Sequence, residues 1–205
     1  IVYNTCGWER MEILDLLDGI VDIYLPDFKY WDSDLSSKYS SASESYPEIT
    51  KEAILEMHRQ VGVAKPAKDG LMQRGLMIRH LVMPNNTGGS EKIMEWVAEN
   101  LPKDTYVNIM AQYNPYFKAF DYPELSRRIT RKEYKKVVKR AKELELTNLD
   151  IQGYYNWGDI TFTAGVRNLT DEEPPYVTSY DDMNTLQFSY DTQGRYIYGR
   201  ASISF

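Results

Sequence analysis

The sequence predicts an α/β protein: about four parallel strand–helix units forming a partial TIM-type (β/α) barrel, then an antiparallel β segment of about three strands. Three observations carry this. Short β-branched runs alternate with helix-spaced apolar stretches up to about residue 146, the pattern of a parallel sheet with helices packed outside it. From about residue 150, strands alternate apolar and polar residues, as in a two-faced antiparallel ribbon. All 13 lysines precede residue 150. The two parts follow different physical rules and are read as domains 1–146 and 147–205.

The elements follow in order. Ile1–Tyr3 is a short apolar strand, turned by Asn4-Thr5-Cys6-Gly7. Trp8–Leu17 has helical apolar spacing, with Gly19 as its stop. Ile20–Leu25 is a β-branched strand closed by Pro26. The serine-rich stretch Asp32 to Ser45 reads as a polar loop. Tyr46-Pro47-Glu48 opens a helix that runs to Gly62. Leu76–Val82 is a third strand, stopped by Pro84. Ser90 is the expected N-cap of a helix over Glu91–Asn100. Tyr106–Met110 is a fourth strand. Arg131–Leu144 is an amphipathic helix, with Thr130 as N-cap and Glu133 completing a capping box. Four such units are about half of an eight-unit barrel.

In the second part, Ile151–Trp157 and Ile160–Leu169 flank a Gly158-Asp159 hairpin turn. Asn168–Tyr176 is a loop, and another loop, rich in Asp and Asn, runs to about Gly194. The last strand, Tyr196–Phe205, puts Ile197, Gly199, Ala201, Ile203 and Phe205 on one face. A two-faced strand of about ten residues suits a tilted membrane-spanning strand and equally a soluble hairpin.

The net charge of −6 argues against a nucleic-acid partner. The basic run from Arg127 to Lys142 reads as a solvated helix face. Cys6 is the single cysteine, so no internal disulfide and no Cys-based metal site forms from it alone. No apolar run reaches the roughly 18 residues of a spanning helix, and no signal peptide is present. The strand-like start at Ile1, without an initiator Met, implies residues upstream.

In parallel sheets, function sits at the carboxyl ends of the strands. Asn4 and Thr5 follow the first strand and Asp27 and Lys29 the second. Arg79 and His80 lie in the third, with Asn85 and Asn86 after it, and Gln112 and Tyr113 follow the fourth. Asp27 and Lys29 form either a site or a local loop ion pair. Adjacent strand residues point oppositely, so at most one of Arg79 and His80 faces the interior. His58, on an apolar helix face, reads as a satisfied core histidine, and Cys6 as a turn residue.

Four segments carry a resemblance. They are Ile1–Gly7, Asp22–Tyr30 (Asp-Ile-Tyr-Leu-Pro-Asp-Phe-Lys-Tyr), Ile78–Asn85 (Ile-Arg-His-Leu-Val-Met-Pro-Asn) and Val107–Tyr113. In order and spacing they resemble radical S-adenosylmethionine enzymes, most of all the group similar to pyruvate formate-lyase activating enzymes, over about residues 1–146. The resemblance implies the later part of a partial TIM barrel. It also implies two cofactors, S-adenosylmethionine and a [4Fe–4S] cluster. The residues that contact S-adenosylmethionine would be Asn4, Thr5, Asp27, Lys29, Arg79, His80 and Gln112. In that family the cluster is held by a Cys-x-x-x-Cys-x-x-Cys loop, and a 5′-deoxyadenosyl radical takes hydrogen, typically from a glycine of a partner protein. This chain lacks that motif, so the cluster ligands are absent from it and no catalytic residue is assigned.

Gly165–Pro175 and Gly194–Phe205 resemble the C-terminus of TonB-dependent outer-membrane receptors, over about residues 150–205. There the terminal aromatic strand closes the barrel and is read by the outer-membrane assembly machinery. The combined reading is a fragment of a radical S-adenosylmethionine activating-type enzyme, inactive alone, joined near residue 150 to a receptor tail. A glycyl-radical protein is the implied partner and the cytoplasm the implied compartment. The alternatives are a receptor fragment of the outer membrane, or a joined fragment without activity.

Overall fold

The computed structural model describes residues 1–66, 72–157, 160–167 and 196–203. Five strands run parallel in the order β1 (Val2–Thr5), β2 (Ile23–Pro26), β4 (Met72–Leu81), β5 (Tyr106–Met110) and β6 (Leu149–Trp157). A two-residue strand, β3 (Lys65–Pro66), pairs antiparallel with β4. Helices α1 (Met11–Leu17), α2 (Ser33–Ser40), α3 (Tyr46–Val61), α4 (Ser90–Asn100) and α5 (Arg131–Glu143) lie between the parallel strands in sequence. The architecture is therefore α/β, consistent with a partial barrel.

The core forms between the helices and one face of the sheet. Leu14 of α1, Ile54 and Met57 of α3, Ile93, Met94 and Val97 of α4, and Val137 and Ala141 of α5 pack with Tyr24, Leu76, Ile78, Val107, Ile109 and Leu149 of the strands. Full burial of each such aliphatic side chain contributes roughly 1.5–3 kcal/mol. These strand positions alternate along their chains, so the opposite face is left to a different set of residues.

The fifth parallel strand is an addition to the four units expected. Leu149 is fully buried and pairs with Val107, and Leu146 before it is also fully buried. From Ile151 onward the same strand pairs antiparallel with β7 (Ile160–Arg167), which pairs antiparallel with β8 (Tyr196–Ile203). One strand thus belongs to both pairing regimes. The expected Gly158-Asp159 turn, the loop over 168–195 and Phe205 lie outside the described residues.

The stretch expected as a polar loop contains helix α2. Its serines have weak helix propensity, but Asp32 accepts a hydrogen bond from the Leu35 N–H at 3.0 Å and Ser41 closes the helix in the left-handed conformation. Tertiary bonds hold it: Tyr30 Oη to Ser40 Oγ at 2.9 Å, and Lys38 Nζ and Tyr39 Oη to Glu124 at 2.7 and 2.6 Å. The capping box of α5 forms as expected, with Thr130 Oγ1 receiving the Glu133 N–H. Ser90 differs from its expected role. It is the first helical residue, Gly89 holds the cap position, and the Ser90 hydroxyl bonds His80 instead. His58 is half-buried rather than a core residue.

The basic run on α5 faces acidic partners on α4. Lys136 pairs with Glu91 at 2.5 Å and Arg140 with Glu95 at 2.8 Å. These pairs orient α5 and contribute little each at the surface.

Gly7 makes a tight backbone approach at the carboxyl ends of β1 and β2. Its φ is +85°, and a Cβ there would lie 2.5 Å from the Asp27 carbonyl oxygen. Gly19, with φ +77°, has open space around it. Gly7→Ala is expected to lower unfolding stability by about 2 kcal/mol or more, through combined strain and overlap. Gly19→Ala should cost only about 1 kcal/mol, from backbone strain alone. Urea denaturation of both variants checks this, and equal losses would contradict the close approach.

Candidate functional site

The sheet face turned away from the helices carries polar side chains at the carboxyl ends of β1, β2 and β4. Asp27 stands just past β2 and pairs in parallel register with Arg79 of β4. The Arg79 guanidinium donates to Asp27 Oδ1 through Nε at 2.7 Å and sits 2.6 Å from the same oxygen through Nη2. Nη2 also donates to Asn4 Oδ1 at 2.8 Å. Lys29 Nζ lies 3.0 Å from Asp27 Oδ2. Four of the expected residues, Asn4, Asp27, Lys29 and Arg79, are therefore one hydrogen-bonded group drawn from three adjacent strands.

The group is only partly exposed, at 14% for Asp27, 27% for Arg79 and 39% for Lys29. One carboxylate faces two cations, so the group holds an excess positive charge under restricted solvent. Such a group suits a small anion, and a carboxylate above all, because the guanidinium fork and the ammonium both donate to it.

Strand alternation separates the neighbours of these residues. Thr5, beside Asn4, turns the other way: its hydroxyl donates to Glu9 and accepts the Gly7 N–H at 3.2 Å. His80, beside Arg79, is fully buried in the helix-side layer. Its Nδ1 lies 2.7 Å from the Phe28 carbonyl and its Nε2 2.7 Å from Ser90 Oγ. Thr5 and His80 thus make hydrogen bonds within the protein, behind the group formed by Asn4, Asp27, Lys29 and Arg79. Gln112, past β5, is exposed and lies 3.5 Å from Met110 Sδ.

The loops that carry the group are pinned from below. Tyr46 Oη accepts from the Lys29 N–H at 3.1 Å and lies 3.2 and 3.1 Å from the carbonyls of Cys6 and Asp27. Burial pushes its pKa up to about 12, so the phenol stays a donor. Nothing in the sequence marked Tyr46 as more than a helix start. Trp31 is held by a bond from its N–H to the Gly88 carbonyl at 3.0 Å and by Lys51 Nζ, 3.9 Å from its ring centre. Asn85 and Asn86 are left-handed residues (φ 56° and 55°) that pin the loop after β4. Asn85 binds Glu124, Glu133 and Arg127, and Asn86 accepts the Ser90 N–H. Arg127 holds the Glu133 carboxyl well below the ordinary range. Tyr39 of α2 meets Tyr122 edge-on at 5.2 Å.

Cys6 is exposed and free. Among the described residues, no group of three or more His, Cys, Asp or Glu is placed to hold a metal ion.

No known family model matches the chain. It is 32% identical over 147 residues to an uncharacterized protein of Methanocaldococcus jannaschii, a match that takes in 71% of this chain and 39% of that protein. The chain thus spans about two-fifths of the curated relative it matches. A solved domain of pyruvate-formate lyase-activating enzyme from Bacteroides vulgatus is similar at a TM-score of 0.48 and 14% identity, over 73% of this chain and 79% of that one.

Burial pushes the His80 pKa down to about 4, against its hydrogen bond to Phe28. The ordinary value is about 6.5. Between these values the unfolded chain binds a proton at His80 and the folded chain does not. This contribution is complete above the unfolded pKa and is lost as pH falls through the window. His80→Gln should therefore show a smaller drop in urea midpoint between about pH 7 and pH 5 than the parent chain. Equal drops would remove His80 from the acid sensitivity of the fold.

Proposed function

We propose that residues 1–146 are the cofactor-binding later part of a radical S-adenosylmethionine activating-type barrel, and that the chain binds S-adenosylmethionine at the carboxyl ends of β1, β2 and β4. The observation that carries this reading is the Asn4–Arg79–Asp27–Lys29 group. Its residues lie within the very segments that resemble that family.

The residues present fit S-adenosylmethionine. Lys29 and Arg79 offer donors to the methionine carboxylate. Asp27 and Asn4 offer acceptors to hydroxyl or amino groups. They do not fit the [4Fe–4S] cluster, which needs three thiolates where the chain has Cys6 alone. In that family the bound cofactor supplies a radical that abstracts hydrogen. The residues here bind and orient: Arg79 fixes the Asp27 carboxylate, and Tyr46 fixes the backbone on either side of it.

A glycyl-radical protein as hydrogen donor, and the cytoplasm as compartment, belong to the same reading. No described helix is long and apolar enough to cross a membrane. Receptor function for residues 150–205 has no support from the relatives described above, and the proposal does not extend to transport.

Isothermal titration of the full chain with S-adenosylmethionine tests the proposal. The parent chain is expected to bind, and Arg79→Met to weaken binding by about tenfold or more, since charge-assisted hydrogen bonds contribute roughly 1.5–3 kcal/mol. Arg79→Lys should restore part of it, as the charge returns without the planar fork. Absence of any binding heat with the parent chain would overturn the reading. A second expectation concerns the metal. Anaerobic reconstitution with iron and sulfide should leave the chain without an iron–sulfur absorbance band, and a stable band with bound iron would contradict the thiolate argument.

A further inference from the structure

The polar face does not end at Arg79. In register, Asp27 pairs with Arg79, Arg79 with Asn108 of β5, and Asn108 with Asp150 of β6. Register partners in a parallel sheet share a face, at about 4.8 Å per strand. One polar row therefore crosses four strands on the face opposite the helices.

Asp150 is 2% exposed. Its Oδ2 accepts from Tyr106 Oη at 2.7 Å and from Asn108 Nδ2 at 3.2 Å. A carboxylate is an acceptor only, so it selects the amide nitrogen of Asn108 and leaves the amide oxygen on the other side. Among the described residues that oxygen, Asn108 Oδ1, is buried without a hydrogen-bond partner. An acceptor in that condition is costly in the folded chain. A donor on a bound molecule would relieve that cost.

We infer that Asn108 is a further ligand-binding residue of this site and Asp150 its positioning residue. The pair reads a hydroxyl or amino donor on the nucleoside part of the ligand whose carboxylate lies at Lys29 and Arg79. The inference rests on the cofactor reading above and extends it along the row: an anion-reading end on β2 and β4, and a donor-reading end on β5 and β6. It also gives β6 a part in recognition.

Equilibrium binding of two probes, S-adenosylmethionine and free methionine, tests it in the full chain and three variants. Arg79→Met should weaken both probes, because both carry the carboxylate. Asn108→Ala should weaken S-adenosylmethionine by about fivefold or more and leave methionine unchanged, the loss of one hydrogen bond. Asp150→Asn is isosteric, and it frees the Asn108 amide to turn over. It should give the same selective loss, and the double variant should lose little more than either single one. Thermal midpoints confirm that each variant is folded. A general structural role would weaken both probes together, so equal losses on the two, or no loss on either, would overturn the inference while leaving the cofactor reading intact. If the parent chain binds neither probe, the cofactor reading and this extension both fall.

Discussion

The junction of Asp27 with Arg79 is the constraint on which the rest of the molecule depends. It is a backbone bridge and an ion pair at once: the Phe28 N–H bonds the Arg79 carbonyl at 2.9 Å while the side chains meet at 2.6–2.7 Å. Partly buried charges are expensive to desolvate, and they persist where the geometry satisfies their donors and acceptors. Here Asn4 and Lys29 complete that satisfaction. The junction fixes where β2 ends against β4. It thereby places Phe28 in the core beside Trp96, at 5.7 Å between ring centres, and aims Tyr30 at Tyr46.

The division of labour between the two sheet faces follows from the same register. Strand residues one apart serve opposite purposes, so Arg79 meets Asp27 while His80 secures α4, and Asn4 meets Arg79 while Thr5 secures the turn to Glu9. The orientation of the polar group is set by side chains that lie outside it. Tyr46 and His80 are the clearest of these.

The sequence made much of this legible. Strand runs such as Tyr106–Met110 and the capping box at Thr130 follow from local chemistry alone, and they form with the expected bounds. The clustering of Asn4, Asp27, Lys29 and Arg79 was legible because strand ends gather polar residues. Alternation limited Arg79 and His80 to one inward side chain without saying which. The choice depends on Ser90 and the Phe28 carbonyl, contacts made only in the folded chain. Helix α2 was hidden because its stability comes from Asp32, Tyr30 and Glu124 rather than from the propensity of its serines. The start of β6 lies two residues before the expected Ile151, because Leu149 and Asp150 join the strand through pairing with Val107 and Asn108, a contact far off in sequence. Asn108 itself reads as a strand residue without chemistry, and its place in the polar row emerges only from the register with Arg79 and Asp150.

Strand β6 carries a consequence for the order in which the chain assembles. Its later half pairs with β7 across a gap of two residues, a local closure of the kind completed in microseconds. Its first residues pair with β5 about forty positions earlier, so a long stretch of chain must be closed before that pairing gains anything. On closure cost alone the β6–β7 ribbon is the quicker contact, and the parallel pairing that brings Asp150 beside Asn108 is the slower one.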